Sequence, residues 1–392
     1  ICTSPTHFKD HNLYSKKNVL LTGATGFIGS YLLAELLVNE NIGKIYILSR
    51  KVDKNNQKER LFTAFEKFSV PHPERLMAAT NIVMIEGDIT QPRLSISDSA
   101  YDELCAEVDV IHHIAARVNH IRPYEVLKAP NVDSVSDLIC MAQKGRNKVI
   151  NFVSTLGSAA KKDADGRYVE AFPDNAILNS DMGYLLSKWE AEKLLEKFQN
   201  QGGKVNLFRL GYISGHSRTG ASLFADNQFM LFIKSCIQLG YAPILPRTIN
   251  FTPVDYTTAI MALPQYMSEG GDVLNLFNYS GLINWEDIVS WLNLRGYKIE
   301  TIEFYEWQKK LLVDSENNAL FRFLPLYGVE GSHNKILRFG REIDKFDFQN
   351  TVTATECLDY KLPVLKYELL DTYLRYLQSV EFLPIPQVVN AA

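Results

Sequence analysis

Cysteine is scarce in this sequence. Cys2, Cys105, Cys140, Cys236 and Cys357 are scattered through 392 residues, odd in number and never in a C-x-x-C pair. Neither a disulfide framework nor a zinc site is indicated, and a reducing, cytoplasmic setting is expected. Long apolar runs are missing too, so no segment reads as crossing a bilayer. No signal-peptide pattern opens the chain. Positive charge is not in excess: 41 Lys and Arg against 45 Asp and Glu leave a net charge of -4, which gives no reason to expect nucleic acid as a partner. Internal repeats, low-complexity tracts and coiled-coil heptads are absent. The chain opens on Ile1 rather than Met, and residues 1–17 are polar and irregular. They read as the remnant of a linker in a longer polypeptide.

What is present is an ordinary globular composition, 46% hydrophobic and 22% charged, in a chain long enough for two lobes. Its organising stretch is Asn18 to Ser30, NVLLTGATGFIGS. Val19-Leu20-Leu21 reads as a short buried strand, and Thr22-Gly23-Ala24-Thr25-Gly26-Phe27-Ile28-Gly29 as a glycine turn. An apolar segment of helical spacing follows from Tyr31 to Val38. Strand, turn and helix in that order begin a dinucleotide-binding fold. Gly23 permits the turn, Gly26 lets the backbone approach a pyrophosphate, and Gly29 lets helix and strand pack closely. The helix N-terminus then faces the phosphates.

The second strand, Lys44 to Leu48, runs into Ser49-Arg50-Lys51. An acidic residue there would hold the 2′-hydroxyl of NAD, whereas two cations suit the 2′-phosphate of NADP. Residues 53–80 read as a helical insertion, with Arg60, Leu61, Phe62, Phe65 and Phe68 in helical spacing and Pro71 and Pro73 as breaks. The third strand, Asn81 to Ile85, leads to Asp88-Ile89, where Asp88 faces an adenine amino group or serves as a turn aspartate. The fourth, Val108 to Ile114, contains His112 and His113, which as strand neighbours point to opposite faces and do not readily share a metal. It ends at Ala115-Ala116, small enough for a cofactor to lie against the backbone. His120 follows in a loop as a candidate substrate contact. Tyr124 to Ala142 is a helix perturbed by Pro130. The fifth strand, Lys148 to Val153, ends in Ser154-Thr155.

A helix opening near Asp181 carries Tyr184 and Lys188, four apart and so on one face. An ammonium beside a phenol favours the phenolate and lowers the tyrosine pKa. Thr155 would orient a reacting carbonyl and stabilise its developing charge, with Ser154 as the alternative hydroxyl.

In motif order, Thr22 to Gly29, Gly87-Asp88-Ile89, Ala115-Ala116, Val153-Ser154-Thr155 and Tyr184 to Lys188 make the chain resemble the extended short-chain dehydrogenase/reductase superfamily over Asn18 to about Gly220. More narrowly it resembles the terminal thioester reductase domains of nonribosomal peptide synthetases and the reductase domains of carboxylic acid and aminoadipate reductases. That likeness rests on Ala115 to His120, Pro123-Tyr124, Asn131-Val132, Arg209 to Gly215, Ser217 to Gly220 and Asn250 to Tyr256. Two departures are Leu210, where many relatives carry proline, and Gly157-Ser158 after the threonine.

The resemblance implies an α/β fold, a Rossmann-type doubly wound parallel sheet at 18–220, with a smaller, mostly helical substrate and carrier-docking lobe at 221–392, of which 250–280 partly returns to the sheet. It implies NADPH-dependent reductive release of an acyl or peptidyl thioester from a phosphopantetheine carrier, to an aldehyde and in some relatives an alcohol, by a monomeric module of a larger synthetase. The implied catalytic residues are Thr155, Tyr184 and Lys188, with no metal. Implied cofactor contacts are Thr22, Gly23, Thr25, Gly26, Phe27, Ile28, Gly29, Arg50, Lys51, Arg60, Asp88, Ile89, Ala115, Ala116, Val118, Tyr184, Lys188, Leu210, Tyr212 and Ile213. Implied substrate contacts are Asn119, His120, Ser154, Leu156 and Gly211. The rival readings are a fatty acyl-CoA reductase, a sugar-nucleotide epimerase or dehydratase, a hydroxysteroid dehydrogenase and an NADP-sensing regulator.

In the second lobe, Leu223 to Leu239 and Trp285 to Leu294 read as helices, Val273 to Phe277 as a strand and Leu365 to Leu377 as a late amphipathic helix. Phe229, Met230, Phe232 and Ile233 line an acyl channel or form plain core.

Overall fold

The computed structural model describes residues 16–50, 57–174, 182–280, 282–313, 315–327, 343–358 and 367–386. Residues 1–15, Lys51 and Asp181 lie outside the described residues. The first half of the chain runs β1 (Lys17–Thr22), α1 (Phe27–Val38), β2 (Ile42–Ser49), α2 (Gln57–Lys67), α3 (Pro73–Ala78), β3 (Ile82–Glu86), α4 (Asp98–Glu107), β4 (Val110–His113), α5 (Tyr124–Lys128), α6 (Ser134–Ala142), β5 (Val149–Thr155), α7 (Gly183–Asn200) and β6 (Lys204–Leu210). The second half adds α8 (Gln228–Leu239), β7 (Tyr241–Pro243), β8 (Thr248–Ile249), α9 (Val254–Met261), β9 (Val273–Leu276), β10 (Ile283–Asn284), α10 (Trp285–Leu294), β11 (Glu300–Ile302), α11 (Phe304–Val313), α12 (Leu324–Tyr327), α13 (Gln349–Glu356) and α14 (Tyr367–Ser379).

Seven strands form one parallel sheet in the order β3-β2-β1-β4-β5-β6-β9. Because every strand runs the same way, all their carboxyl ends meet on one edge. The order reverses between β1 and β4, and a crevice opens there. Val19, Leu20 and Leu21 are fully buried, since helices cover both faces. A central strand of this kind is continuously apolar rather than alternating, and each such side chain contributes about 1.5–3 kcal/mol. On one face α1, α2, α3 and α9 pack through Leu33, Leu36, Phe65, Leu76 and Ile260. On the other, α4, α6 and α7 pack through Leu104, Leu138, Ala191 and Leu195.

Pro130 does perturb the helix after β4. Residues Ala129–Asp133 form one wide turn between α5 and α6, because a proline cannot donate to the preceding turn. Pro73, by contrast, begins α3 at the position where its missing N–H costs nothing.

The second lobe has its own aromatic core. Phe232 lies 5.0 Å from Trp285, 5.4 Å from Trp307 and 5.8 Å from Tyr327, centre to centre. Met230, Phe232 and Ile233 are buried there, so this face of α8 packs as core. The chain also returns to the sheet. α9 lies on α1, β9 becomes the seventh strand, and Ala354 of α13 joins the same core as α1. The last of these returns, residues 343–358, was not anticipated from the sequence. Among the described residues no helix is long and apolar enough to cross a membrane.

Candidate active site

The glycine turn sits at the reversal point of the sheet. Gly23 has φ +78°, and a Cβ on it would lie 2.7 Å from the Ala115 nitrogen. A Cβ on Gly29 would come within 2.1 Å of the Gly23 carbonyl oxygen, so α1 and the turn after β1 touch backbone to backbone. Gly26 caps α1, with no side-chain cap and no acidic residue in the first turn. The leading N–H groups of α1 thus open on the crevice with nothing anionic on the helix to compete for them, a cradle that fits a pyrophosphate. Phe27 turns its ring inward against Tyr31 and Phe68, and Ile28 packs on the same core, leaving their backbone to the crevice. Thr25 is half-buried in the turn. Thr22 is fully buried. Its hydroxyl meets His113 Nδ1 at 2.8 Å and accepts from Ala115 N at 3.2 Å, so it joins β1 to the exit of β4 rather than facing the crevice.

At the end of β2, Arg60 of α2 donates from Nη1 to Ser49 Oγ at 3.0 Å and to the Arg50 carbonyl at 2.8 Å. Arg50 is exposed beside it, so two cations stand where a ribose 2′-phosphate would lie. Asp88 is half-buried, and its Oδ1 accepts from Thr90 N and Thr90 Oγ1, each at 2.9 Å, as a turn aspartate does. Ile89 packs at the edge of the core.

After β4, Ala115 and Ala116 are half-buried and Val118 is exposed. Asn119 closes a turn, its Oδ1 accepting from Ile121 N at 2.9 Å and Arg122 N at 2.8 Å. The His120 ring meets the Tyr184 ring edge-on at 5.4 Å. His112 and His113 are buried separately, each held near pKa 3 by burial. Among the described residues no group of His, Cys, Asp or Glu could hold a metal.

β5 and α7 bring the remaining side chains together. Lys188 is buried, donates from Nζ to the Val153 carbonyl at 2.8 Å and lies 4.5 Å from the Phe152 ring centre. Thr155 Oγ1 accepts from Gly157 N at 3.3 Å, and Gly157 packs against Leu185 of α7. The turn after Thr155 therefore rests on the helix that carries Tyr184. Burial pushes the Tyr184 phenol up to about 12 and the Lys188 ammonium down to about 7. The expected lowering of the tyrosine is thus corrected: loss of water alone sets the direction, and the phenol holds its proton.

Ser154 is buried, and its Oγ donates to Glu192 Oε1 at 2.5 Å. Leu156 and Leu210 are buried at the ends of β5 and β6. The Gly211 N–H donates to the Leu276 carbonyl at 2.9 Å, the Tyr212 hydroxyl to Asn227 Oδ1 at 2.9 Å, and Ile213 bridges to Thr252. These residues join β6 to the second lobe.

Three site-forming residues have no site role in the sequence reading, although Asn131 and Arg209 lie in motifs that carry the resemblance. Asn131, in the wide turn, accepts from Arg117 N at 2.8 Å and donates to Ser187 Oγ at 3.0 Å, clamping the β4 exit loop to α7. Pro130 was the signal for that turn. Glu192 and Arg209 form a buried ion pair, Nη2 to Oε2 at 2.7 Å. Removing one partner of such a pair costs about 3–5 kcal/mol.

A parallel Rossmann sheet with a glycine turn at its switch point, a Tyr-x-x-x-Lys helix and a strand-end threonine define an extended short-chain dehydrogenase/reductase, a class of nicotinamide-dinucleotide oxidoreductases. Within that class the chain belongs to the male sterility protein family, NAD_binding_4, whose model matches residues 21–261. The nonribosomal peptide synthetase asaC of Aspergillus flavus is 31% identical over 327 residues, 80% of this chain and 31% of that protein. The L-2-aminoadipate reductase large subunit of Candida glabrata is 27% identical over 400 residues, 94% of this chain and 28% of that one. The chain thus spans less than a third of these two relatives. Among solved structures, the terminal R domain from the myxalamid PKS-NRPS biosynthetic pathway superposes with a TM-score of 0.80 at 28% identity, covering 95% of this chain and 93% of that one.

Proposed function

We propose that this chain is an NADPH-dependent thioester reductase that releases an acyl or peptidyl chain from a phosphopantetheine-bearing carrier domain. One observation carries the reading: Tyr184 and Lys188 are buried on one face of α7, which rests on the turn behind Thr155. The relatives support the substrate class, and Arg50 and Arg60 support NADPH over NADH.

Bound NADPH would supply the hydride. Tyr184, protonated at neutral pH, gives its proton to the carbonyl oxygen as charge develops there. Lys188 steadies the phenolate left behind, and Thr155 holds the oxygen in line. The thiohemiacetal then loses the thiol to leave an aldehyde, and a second reduction would give an alcohol. Residues 18–220 hold the cofactor in this reading. The 221–392 lobe receives the acyl chain and carrier, in a monomeric module of a cytoplasmic synthetase.

NADPH oxidation should be followed with acyl-pantetheine, carrier-loaded and acyl-CoA thioesters, aldehydes and sugar nucleotides. Thioester- or aldehyde-dependent oxidation that drops at least about 100-fold in Tyr184→Phe, with NADPH still bound, is the expected result. Turnover of sugar nucleotides alone would overturn the reading, and acyl-CoA turnover without carrier turnover would reassign the substrate.

A further inference from the structure

Tyr184, Lys188 and Glu192 are spaced four apart on α7, so one helical face carries all three. The first two are absorbed by the reduction chemistry, whereas Glu192 is not. It is fully buried one turn beyond Lys188, and its partners come from three other segments. Ser154 Oγ donates to Oε1 at 2.5 Å from the residue next to Thr155. Ser158 Oγ meets the same oxygen at 2.5 Å and the Thr155 carbonyl at 2.7 Å. Arg209 of β6 donates from Nε and Nη2 to the carboxylate at 3.1 and 2.7 Å. Arg209 also reaches the carbonyls of Val169 at 3.3 Å and Ala171 at 2.9 Å.

We propose that Glu192 is a positioning residue for the reduction: held by Ser154, Ser158 and Arg209, it fixes the strand end bearing Thr155 against the helix bearing Tyr184 and Lys188, and it is the counter-charge that retains the Lys188 ammonium. This rests on the reductase reading given above. A lone structural ion pair would not need hydroxyls from both sides of Thr155. The groups around Lys188 define how its charge is balanced. β4 contributes His113, kept neutral by burial and by the Lys188 charge. β5 contributes the Phe152 ring and the Val153 carbonyl. The helix itself contributes Tyr184 and Glu192, and Glu192 is the anion among them that favours the ammonium against burial. Arg209 of β6 stands behind Glu192.

The test uses the whole chain carrying Glu192→Gln, Glu192→Asp, the double change Glu192→Leu with Arg209→Met, and Tyr184→Phe. The first readout needs neither cofactor nor substrate: thermal unfolding at about pH 6 and about pH 9. Glu192 favours the charged form of Lys188, so its benefit is present where Lys188 is protonated and fades as pH rises. The drop in melting temperature of Glu192→Gln should therefore be larger at the acid value, by roughly 1.2- to 1.5-fold. The second readout is the pH–rate profile. The alkaline limb of kcat/KM should move about one pH unit toward acid in Glu192→Gln, with kcat down roughly 10- to 100-fold and KM little changed. Glu192→Asp should keep the limb in place. Should Glu192→Gln fail to fold, the double variant removes both charges in favour of apolar volume and should show the same limb shift. A limb that stays put, with a stability loss equal at both pH values, overturns the proposal and leaves Glu192 as an ordinary structural partner of Arg209. Full turnover in Tyr184→Phe would instead overturn the reductase reading, while the unfolding comparison still judges Glu192 and Lys188.

Discussion

Two lysines are buried at opposite ends of the same strand. Lys148 precedes β5, and its Nζ donates to the carbonyls of Cys105, Lys144 and Arg146 at 2.8, 2.7 and 2.8 Å. Lys188 lies against the other end of β5, where Nζ has one carbonyl, Val153, and the face of Phe152. Both ammonium groups are disfavoured by burial. The difference is in what replaces water. Three carbonyls take all three donors of an ammonium, and the result is a tie between the α4 and α6 ends and the start of the strand. One carbonyl and a ring leave donor capacity to spare, on the helix face that also carries Tyr184. At one end of the strand burial gives structure. At the other it gives a group whose charge is finely balanced, which is what proton transfer requires.

The sharpest way to break this comparison is to remove each cation in turn. Lys188→Met should lower kcat/KM about 1000-fold, because the phenolate formed at Tyr184 loses its balancing charge. It should leave the melting temperature unchanged or raised, since a poorly solvated buried ammonium is replaced by an apolar chain of similar volume. Lys148→Met should do the opposite. One buried and two half-buried carbonyls lose the Lys148 donor, and denaturant unfolding should show a loss of about 3 kcal/mol, with turnover of the folded fraction within about twofold of wild type. If Lys148→Met abolished turnover in folded protein, or if Lys188→Met unfolded the chain, the contrast would collapse.

pH separates the two ends more gently. Lys188 keeps its proton up to about 7 in the folded chain and to about 10.4 in the unfolded one. Between those values the unfolded chain binds the extra proton, so the Lys188 contribution to stability rises with pH. Turnover, which needs the ammonium, should fall over the same range. Rate and melting temperature measured from about pH 6.5 to about pH 9.5 should therefore run in opposite directions in wild type, and the divergence should vanish in Lys188→Met. On the acid side, His112 and His113 are held near 3 by burial. Stability should then drop as pH falls from about 6.5.

Much of this arrangement was legible in the sequence because it rests on local spacing. The glycines at 23, 26 and 29, the cations after β2 and the four-residue step from Tyr184 to Lys188 are read along a single element. Buried strands such as Val149 to Val153 also declare themselves, since a sheet covered on both faces needs continuous apolar runs. What escaped depends on distant segments meeting. Lys204–Leu210 carries Lys204, Asn206 and Arg209 among its apolar residues, so β6 has no clean run. Asn206 donates to Asn151 Oδ1 and Arg209 to Glu192, and only those contacts explain polar side chains in a central strand. Glu192 lies in Trp189-Glu190-Ala191-Glu192-Lys193, which looks like a solvated helix surface. The signal that could have found it was the continuation of the Tyr184–Lys188 step by another four residues. The tyrosine pKa was misjudged for a related reason: sequence gives the neighbouring charge but not the depth of burial. The return of residues 343–358 was hidden because Phe346 meets Tyr168, 178 positions earlier, with ring centres 4.9 Å apart.

A third cation extends the comparison to the surface and carries the smallest expected effect. Arg60 is held by Ser49 Oγ and the Arg50 carbonyl at the end of β2, half-exposed where Lys148 and Lys188 are buried. Water screens its charge, so it cannot balance a reaction as Lys188 does, nor does it leave orphaned carbonyls as Lys148 would. What it can do is meet a doubly charged phosphate in a fixed direction. Charge-assisted contact of that kind, partly exposed, is worth about 1–1.5 kcal/mol. Arg60→Ala should therefore lower the preference for NADPH over NADH about 10-fold, through the KM for NADPH, with kcat at saturating cofactor and the melting temperature close to wild type. The gap should narrow in about 1 M salt, where the screening length falls to about 3 Å. An unchanged cofactor preference at low salt would show that Arg60 serves only to close the turn after β2, in the manner of Lys148 rather than of Lys188.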